Sequence, residues 1–261
     1  MMHWVIQENI YHEEGFTRLV DALKRLGLSY SLHKVIPFAG GITPEPAVPE
    51  GTPLIVMGSY SMAIHARANG WQPGSFDNDN LDFEKQLPHW GECMLNHDAH
   101  VCRFDAVPPQ PKPFFLRPTL DTKSFSGEVT DWHDFRPWQA KVLALGKHEG
   151  ATLTADTMVM VCKLRQIWSE YRLWVVDGKV VTASMYKQGS RVIYNDGVDD
   201  AFIAYGEKIA ALWSPGRAYV LDICEGIDGL KIVEAGCLNA AGFYAADMQK
   251  LAMALEAAFS G

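Results

Sequence analysis

The chain has 261 residues, 48% of them hydrophobic, and 23 basic against 31 acidic residues give a formal charge of −8. That length holds two domains, or one large domain with a lid, around a sizeable core, while the acidic balance disfavours phosphate backbones and so nucleic-acid partners. No apolar run is long enough to span a bilayer, the N-terminus MMHWVIQENIYHEEG is acidic where a signal peptide is basic, and Cys93, Cys102, Cys162, Cys224 and Cys237 form no CxxC pair, so the expectation is a cytoplasmic protein with reduced thiols, no membrane contact and no cysteine zinc site.

Residues 3–7 read as a short apolar strand. Phe16, Leu19, Val20, Leu23 and Leu26 have helical spacing over 16–26, with Gly27 as the stop. Residues 29–37 and the unbroken apolar run 53–57 read as strands, the latter buried in a parallel sheet, and 61–69 as a helix. This pattern predicts a small open α/β domain. Residues 43–53 form a proline-rich loop. A second proline-rich stretch, 107–113, reads as a linker and divides the chain into 1–107 and 108–261.

Beyond the linker, strands are expected at 114–117 and 125–129, a helix at 135–145 and a strand at 157–162. Residues 170–176 and 179–186 flank Asp177-Gly178, a strong hairpin turn. A helix follows over 199–212, then a second hairpin of 218–224 and 230–235, and an amphipathic helix over 247–259.

The second hairpin carries the most chemistry. A turn centred on Asp228 sets Asp222 opposite Glu234, on a face shared with Val220, Cys224 and Ile232. Facing carboxylates among apolar neighbours invite a proton or a bridging cation, and paired carboxylates hold Mg²⁺ beside phosphates; Asn239 adds a neutral oxygen. The alternative is a surface hairpin in slipped register with both acids in water. In the first hairpin, Arg172 is expected opposite Ala183 and Glu170 opposite Met185, with Lys187 continuing their face; by pattern alone this is an ordinary ion pair on a solvated sheet face, and a combined site with Asp222 and Glu234 favours function. The third element is FFLRPTLDTKSFSGEV, residues 114–129. Its strand ends at Arg117-Pro118, and its loop holds Asp121, Thr122, Lys123, Ser124, Ser126 and Gly127. Such loops bring backbone N–H groups close to phosphates, but neither GxxxxGK[ST] nor GxGxxG is present, and taken alone the stretch reads as a plain hairpin turn.

These three elements, in the stretches FFLRPTLDTKSFSGEV, SEYRLWVVDGKVVTASMYK and YVLDICEGIDGLKIVEAGCLNAAGFY, resemble in order the ATP-grasp superfamily, and more closely a divergent bacterial and phage branch. The likeness covers about residues 114–244. It implies an α/β (α+β) protein: a small open α/β pre-ATP-grasp domain over 1–107, then a two-lobed ATP-grasp domain with antiparallel sheets over 108–261. The small lobe would span about 113–162 and the larger about 163–261. Arg117 stands where the family places a basic residue reaching nucleotide phosphates, and Lys123 lies in the loop that closes over them. Met160, Val161, Cys162 and Lys163 match the hinge that sandwiches adenine, and Ser126 and Glu170 count among the nucleotide-binding residues. Arg172 is the arginine expected near the transferred phosphoryl group, and Lys187 a further phosphate or substrate contact. Asp222, Glu234 and Asn239 match the metal-holding positions.

The sequence departs from the family pattern where Arg117 replaces a lysine, where Cys162 replaces an acid, and where Glu234 is followed by Ala235-Gly236 instead of x-Asn. The implied cofactors are ATP and Mg²⁺. The implied activity is carboxylate–amine ligation through an acylphosphate, with release of ADP and phosphate. The carboxylate and amine are not readable from sequence, and a peptide or protein is among the candidates. The rival expectation is a non-catalytic Mg-ATP binding module that assembles a protein partner. A histidine hydrolase is disfavoured: His97 and His100 would point to opposite faces of an extended segment, and HExxH is absent. Phe243 and Tyr244 could border a substrate pocket but read better as packing, and the acidic loop 77–82 lacks the EF-hand pattern.

Overall fold

Two apolar runs organise the N-terminal sheet. The computed structural model describes residues 2–8, 10, 14–36, 41–76, 80–120, 124–147 and 152–260. Strand β1 (His3–Gln7) is buried along its whole length, helix α1 (Glu14–Leu26) follows, and then come β2 (Ser29–Val35), β3 (Ile42–Thr43), β4 (Leu54–Met57), helix α2 (Tyr60–Ala68) and β5 (Pro73–Gly74). The order is β3-β2-β1-β4-β5, with β1 parallel to β2 and β4. Helix α1 ends as its spacing predicts: Gly27 takes φ 66° and Leu28 N–H donates to the Leu23 carbonyl at 2.9 Å, a left-handed stop that glycine enters without strain.

Helix α3 (Phe83–Trp90) has no counterpart among the sequence expectations. Pro88 in its last turn hides it, but Asp82 caps it by accepting from the Glu84 N–H at 2.9 Å. Strands β6 (His100–Arg103), β7 (Phe114–Pro118) and β8 (Glu128–Thr130), helix α4 (Trp132–Leu145) and β9 (Met158–Lys163) come next. The sheet order is β6-β9-β7-β8, all antiparallel. Thus β6, which precedes the proline-rich stretch, pairs with a strand beyond it. Phe114 of this sheet and Phe104, just beyond the end of β6, pack edge-on against Phe135 of α4.

The remaining elements are β10 (Ile167–Val176), β11 (Lys179–Gln188), β12 (Arg191–Asn195), α5 (Asp200–Leu212), β13 (Ala218–Gly226), β14 (Gly229–Gly236) and α6 (Met248–Phe259). They form an antiparallel sheet ordered β12-β11-β10-β13-β14. One face, with Leu173, Val175, Leu221 and Ile223, packs with Ile209 and Ala210 of α5 and with Phe83 and Trp90 of α3. The other, with Trp174, Val176 and Val220, shares a core with α1, α6 and the N-terminal sheet. Alternation along β10 and β13 carries that second face onward to Arg172, Glu170 and Asp222. The apolar core stops there and the charged site begins.

Candidate functional site

Local irregularities in the large sheet position the charged groups. Asp222 pairs with Glu234, as expected, but by a different route. The turn is a tight one, with Gly226 opposite Gly229, and a bulge makes Val233 the extra residue before Glu234 meets Asp222. The same bulge sets Ile232 opposite Ile223, on the α3–α5 side, so Ile232 does not share the face of the acids. In the first hairpin Arg172 faces Ser184, not Ala183, and Glu170 faces Lys187, not Met185. Register shifts at Trp174/Val175 and Glu170/Tyr171 cause both changes and leave Val181 and Tyr186 as extra residues on β11. Bulges re-aim side chains beside functional sites. Here the bulged residues Tyr186 and Val233 both line a cleft.

That cleft, of about 410 Å³, opens between the two antiparallel sheets. The smaller sheet and its loop contribute Phe115, Arg117, Phe125, Ser126 and Gly127, and the larger sheet Glu170, Tyr186, Val233 and Glu234. A second hollow, of about 300 Å³ beside Trp71 and Phe259, has arginines but no carboxylate among the described residues of its wall.

Glu170, Glu234 and Arg117 line the cleft, Arg172 and Asp222 lie largely buried behind them, and all are already paired. Arg172 grips Asp222 with two hydrogen bonds of 2.7 Å, Nε to Oδ1 and a terminal nitrogen to Oδ2. Arg117 reaches from the smaller sheet to Glu234 at 2.6 Å, and Lys187 lies 2.7 Å from Glu170. The Tyr186 hydroxyl donates to Glu170 at 2.9 Å. Asp222 is 3% exposed. Burial pushes its carboxyl above the ordinary range, against the pull of Arg172, and the charges of Glu234 and Glu170 add to the rise. Burial, then the nearby Asp222 and Glu170, also hold the Tyr186 phenol well above its usual value, so it stays a donor. Arg172 remains charged: burial opposes the charge, but Asp222 outweighs it.

The other expected residues fall as follows. Lys123 lies outside the described residues, as do positions 77–79 of the acidic loop. Ser126 lines the cleft. Met160, Val161 and Cys162 are buried in β9. Met160 and Val161 have strand partners on both sides, whereas Cys162 and Lys163 pair only with β7. Residues 164–166 then join β9 to β10 and so link the two sheets. Lys163 is exposed and 3.3 Å from Asp98. Burial pushes the Cys162 thiol up to about 11 and the Cys224 thiol up to about 12, so neither is a nucleophile near neutral pH. Asn239 is buried; its side-chain oxygen accepts from the Cys237 thiol and its amide donates to the Gly58 carbonyl at 3.4 Å.

The sequence reading passed over Tyr186 and Val233 and ranked a pocket role for Tyr244 below packing. Phe243 is core, as expected, but Tyr244 is not simply packing. It sits 4.9 Å under the Arg172 guanidinium and stacks at 5.0 Å on both Tyr186 and Tyr194. Its φ of 48° is unusual for an aromatic residue and was the one clue, invisible in the sequence.

Residues 56–255 match the family model of an ATP-grasp domain, family 3 of the R-2-K clade. The chain belongs to the ATP-grasp superfamily. The match spans most of the chain, including all four antiparallel strands of the smaller sheet and all five of the larger. No curated protein matches the sequence significantly. Among solved structures, a RimK domain protein ATP-grasp from Sphaerobacter thermophilus DSM 20745 superposes with TM-score 0.61 at 16% identity, over 95% of this chain and 98% of that one. D-alanine–D-alanine ligase from Bacillus anthracis gives 0.61 at 12%, over 98% and 97%. The ATP-grasp ligase PsnB, complexed with a minimal precursor, gives 0.57 at 12%, over 98% and 99%. At these identities the likeness is one of fold. Among the described residues, no helix of this ATP-grasp protein is long and apolar enough to cross a membrane.

Proposed function

We propose that the protein is an ATP-dependent carboxylate–amine ligase that uses Mg²⁺, forms an acylphosphate and releases ADP and phosphate. The carrying observation is the pairing of Asp222 with Glu234 on the cleft side of the large sheet, with Arg172 and Arg117 as their counterions. Two adjacent carboxylates are a donor set suited to a divalent cation once the guanidinium groups that now neutralise them are displaced, and Asp222 and Glu234 would hold the metal. When bound, Mg²⁺ supplies charge neutralisation at the phosphates.

The chain's own groups do the rest. Arg117 and Arg172, exchanged from their carboxylates, orient phosphate oxygens and stabilise charge developing on the transferred group. Lys187, on the same face, contacts phosphate or substrate. Ser126 and Gly127 bring the loop backbone over the phosphates, and Phe115 and Phe125 keep water from the acylphosphate. Cys162 and Lys163, with one backbone edge clear of β6, are the part of the expected hinge best placed to meet adenine. PsnB has been solved with precursor peptide PsnA2 and AMPPNP, and this favours a peptide or protein acceptor here.

The test is nucleotide product analysis. Release of ADP and phosphate that needs both a carboxylate and an amine supports the reading, and AMP as the nucleotide product contradicts it. Glu234→Gln should abolish turnover with the fold intact. Tight ATP binding with no turnover on any acceptor would favour an assembly factor instead.

A further inference from the structure

Arg172 has two sets of partners, one charged and one neutral. The charged partner is Asp222, which accepts both hydrogen bonds of 2.7 Å. The neutral set comes from the loop between β14 and α6 and from the bulge on β11. The Gly242 carbonyl accepts from a terminal nitrogen at 3.4 Å, the Tyr244 ring centre lies 4.9 Å from the guanidinium carbon and the Tyr186 ring centre 5.8 Å. Arginine stacks on aromatic faces, and a ring within about 6 Å attracts a cation.

The loop that carries Tyr244 is tied down on every side. Ser184 is the β11 residue paired with Arg172, and it is fully buried. Its hydroxyl accepts from the Ala245 N–H at 3.1 Å, so the strand position beside Arg172 also anchors the loop. The Asp247 N–H donates to the Thr182 hydroxyl at 2.9 Å, Arg18 to the Ala246 carbonyl at 3.2 Å and the Gly58 N–H to the Asn239 carbonyl at 2.9 Å. Phe243 enters the core against Phe16, with ring centres 5.1 Å apart. Between these ties Tyr244 keeps φ 48°, a left-handed backbone that a bulky residue holds only when its surroundings impose it. Tyr186 and Tyr194 stack on its ring at 5.0 Å. Tyr186 owes its own place to the β11 bulge and lines the cleft.

While Asp222 neutralises Arg172, the rings add little that the carboxylate does not already supply. The balance changes once Asp222 takes a cation. Two positive groups at one buried carboxylate repel each other, and Arg172, with its side chain 13% exposed, has little water to move into. We propose that Tyr244 and Tyr186 are positioning residues for Arg172: when a divalent cation takes Asp222, the two ring faces and the Gly242 carbonyl hold the released guanidinium at the inner end of the cleft, where it meets the phosphates. The proposal rests on the ligase reading and adds positioning residues to its site. An aromatic face suits this station because it attracts the guanidinium yet carries no net charge that would compete with phosphate for it. A third carboxylate in its place would draw the metal as well.

The test joins a titration to a spectroscopic signature. Calorimetry in Mg²⁺ reads AMPPNP affinity in wild type, Tyr244→Phe and Tyr244→Leu, with circular dichroism as the check on folding. Tyr244→Phe keeps the ring face and should bind within about twofold of wild type, whereas Tyr244→Leu should bind about tenfold more weakly. Arginine Nε–H resonances report the movement itself, that of Arg172 being the one absent from Arg172→Lys. It should shift when Mg²⁺ and AMPPNP are added to wild type, as its bond to Asp222 is exchanged. Wild-type affinity in Tyr244→Leu, equal weakening in Tyr244→Phe, or an Arg172 resonance that does not move would each overturn the proposal. If Tyr244→Leu does not fold, Tyr186→Leu against Tyr186→Phe makes the same comparison, since both lose the hydroxyl and only one keeps a ring. Failure of the wild-type chain to bind AMPPNP in Mg²⁺ is a separate result, and strikes the ligase reading itself.

Discussion

Removing either member of the Arg172–Asp222 pair should damage the fold far more than removing both. The pair is bidentate at 2.7 Å, with side chains 13% and 4% exposed, so neither charge has much access to water. Leaving one buried charge alone costs about 3–5 kcal/mol, whereas replacing both by apolar groups is near neutral. Arg172→Met also loses the contact with Tyr244 at 4.9 Å, worth about 1–2 kcal/mol when desolvated. It should therefore be the most destabilising variant near pH 7. Burial already drives the Asp222 carboxyl toward protonation, so an orphaned Asp222 takes up a proton as pH falls and part of the Arg172→Met cost is recovered. Asp222→Leu strands a guanidinium that cannot release its proton, and mild acid brings it no recovery. The assay is urea unfolding of wild type, both singles and Arg172→Met/Asp222→Leu. Fluorescence and circular dichroism should give coincident transitions before free energies are compared. A coupling energy of about 2 kcal/mol or more is expected; single effects that add to within about 0.5 kcal/mol would refute the reasoning.

Three further predictions follow from other parts of the fold. A Cβ at Gly127 would lie 2.5 Å from the Phe115 ring, so Gly127→Ala should distort the cleft wall and weaken AMPPNP binding about tenfold. Because that loop is exposed, the melting midpoint should move by less than about 2 °C, and calorimetry with a binding titration checks both. Phe135 is fully buried and edge-on to Phe104, Phe114 and Trp138; Phe135→Ala should cost about 3–5 kcal/mol in chemical unfolding. His3 contacts Ser29 and Ser31 at 2.7 Å, Ser31 reaches His33 at 2.5 Å, and the other His33 nitrogen meets the Pro44 carbonyl at 2.5 Å. The carbonyl can only accept, so two neutral rings satisfy every bond in this chain. Burial and then His33 lower the His3 pKa below its ordinary 6.5. The unfolded chain then binds protons more readily, so stability that is full above 6.5 falls as pH drops toward the lowered value. Melting at about pH 7.5 and about pH 5.5 should show the loss, and His3→Asn should flatten it.

Much of the architecture was legible because its signals are local. The buried runs of β1 and β4, the Gly27 stop and the Asp177-Gly178 turn need only neighbouring residues to act. Helix α3 escaped because Pro88 interrupts its pattern, and β12 because it has no buried face to impose a period. At the site, the Asp222–Glu234 pairing was expected from hairpin symmetry but occurs through a bulge. The pairing expected for Arg172 and Glu170 was wrong by one and two positions because two extra residues sit on β11.

The sequence by itself determined many of the strands, helices and turns, though not α3 or β12, and that acids and bases recur on the two hairpins. Only the tertiary structure decided that Arg117 meets Glu234, 117 residues away, that Arg172 meets Asp222, 50 away, and that Tyr244 closes over them. The physical reason is reach. Backbone preference and periodicity act within a turn or two, whereas those contacts depend on how a bulged strand, a second sheet and a pinned loop come together in space.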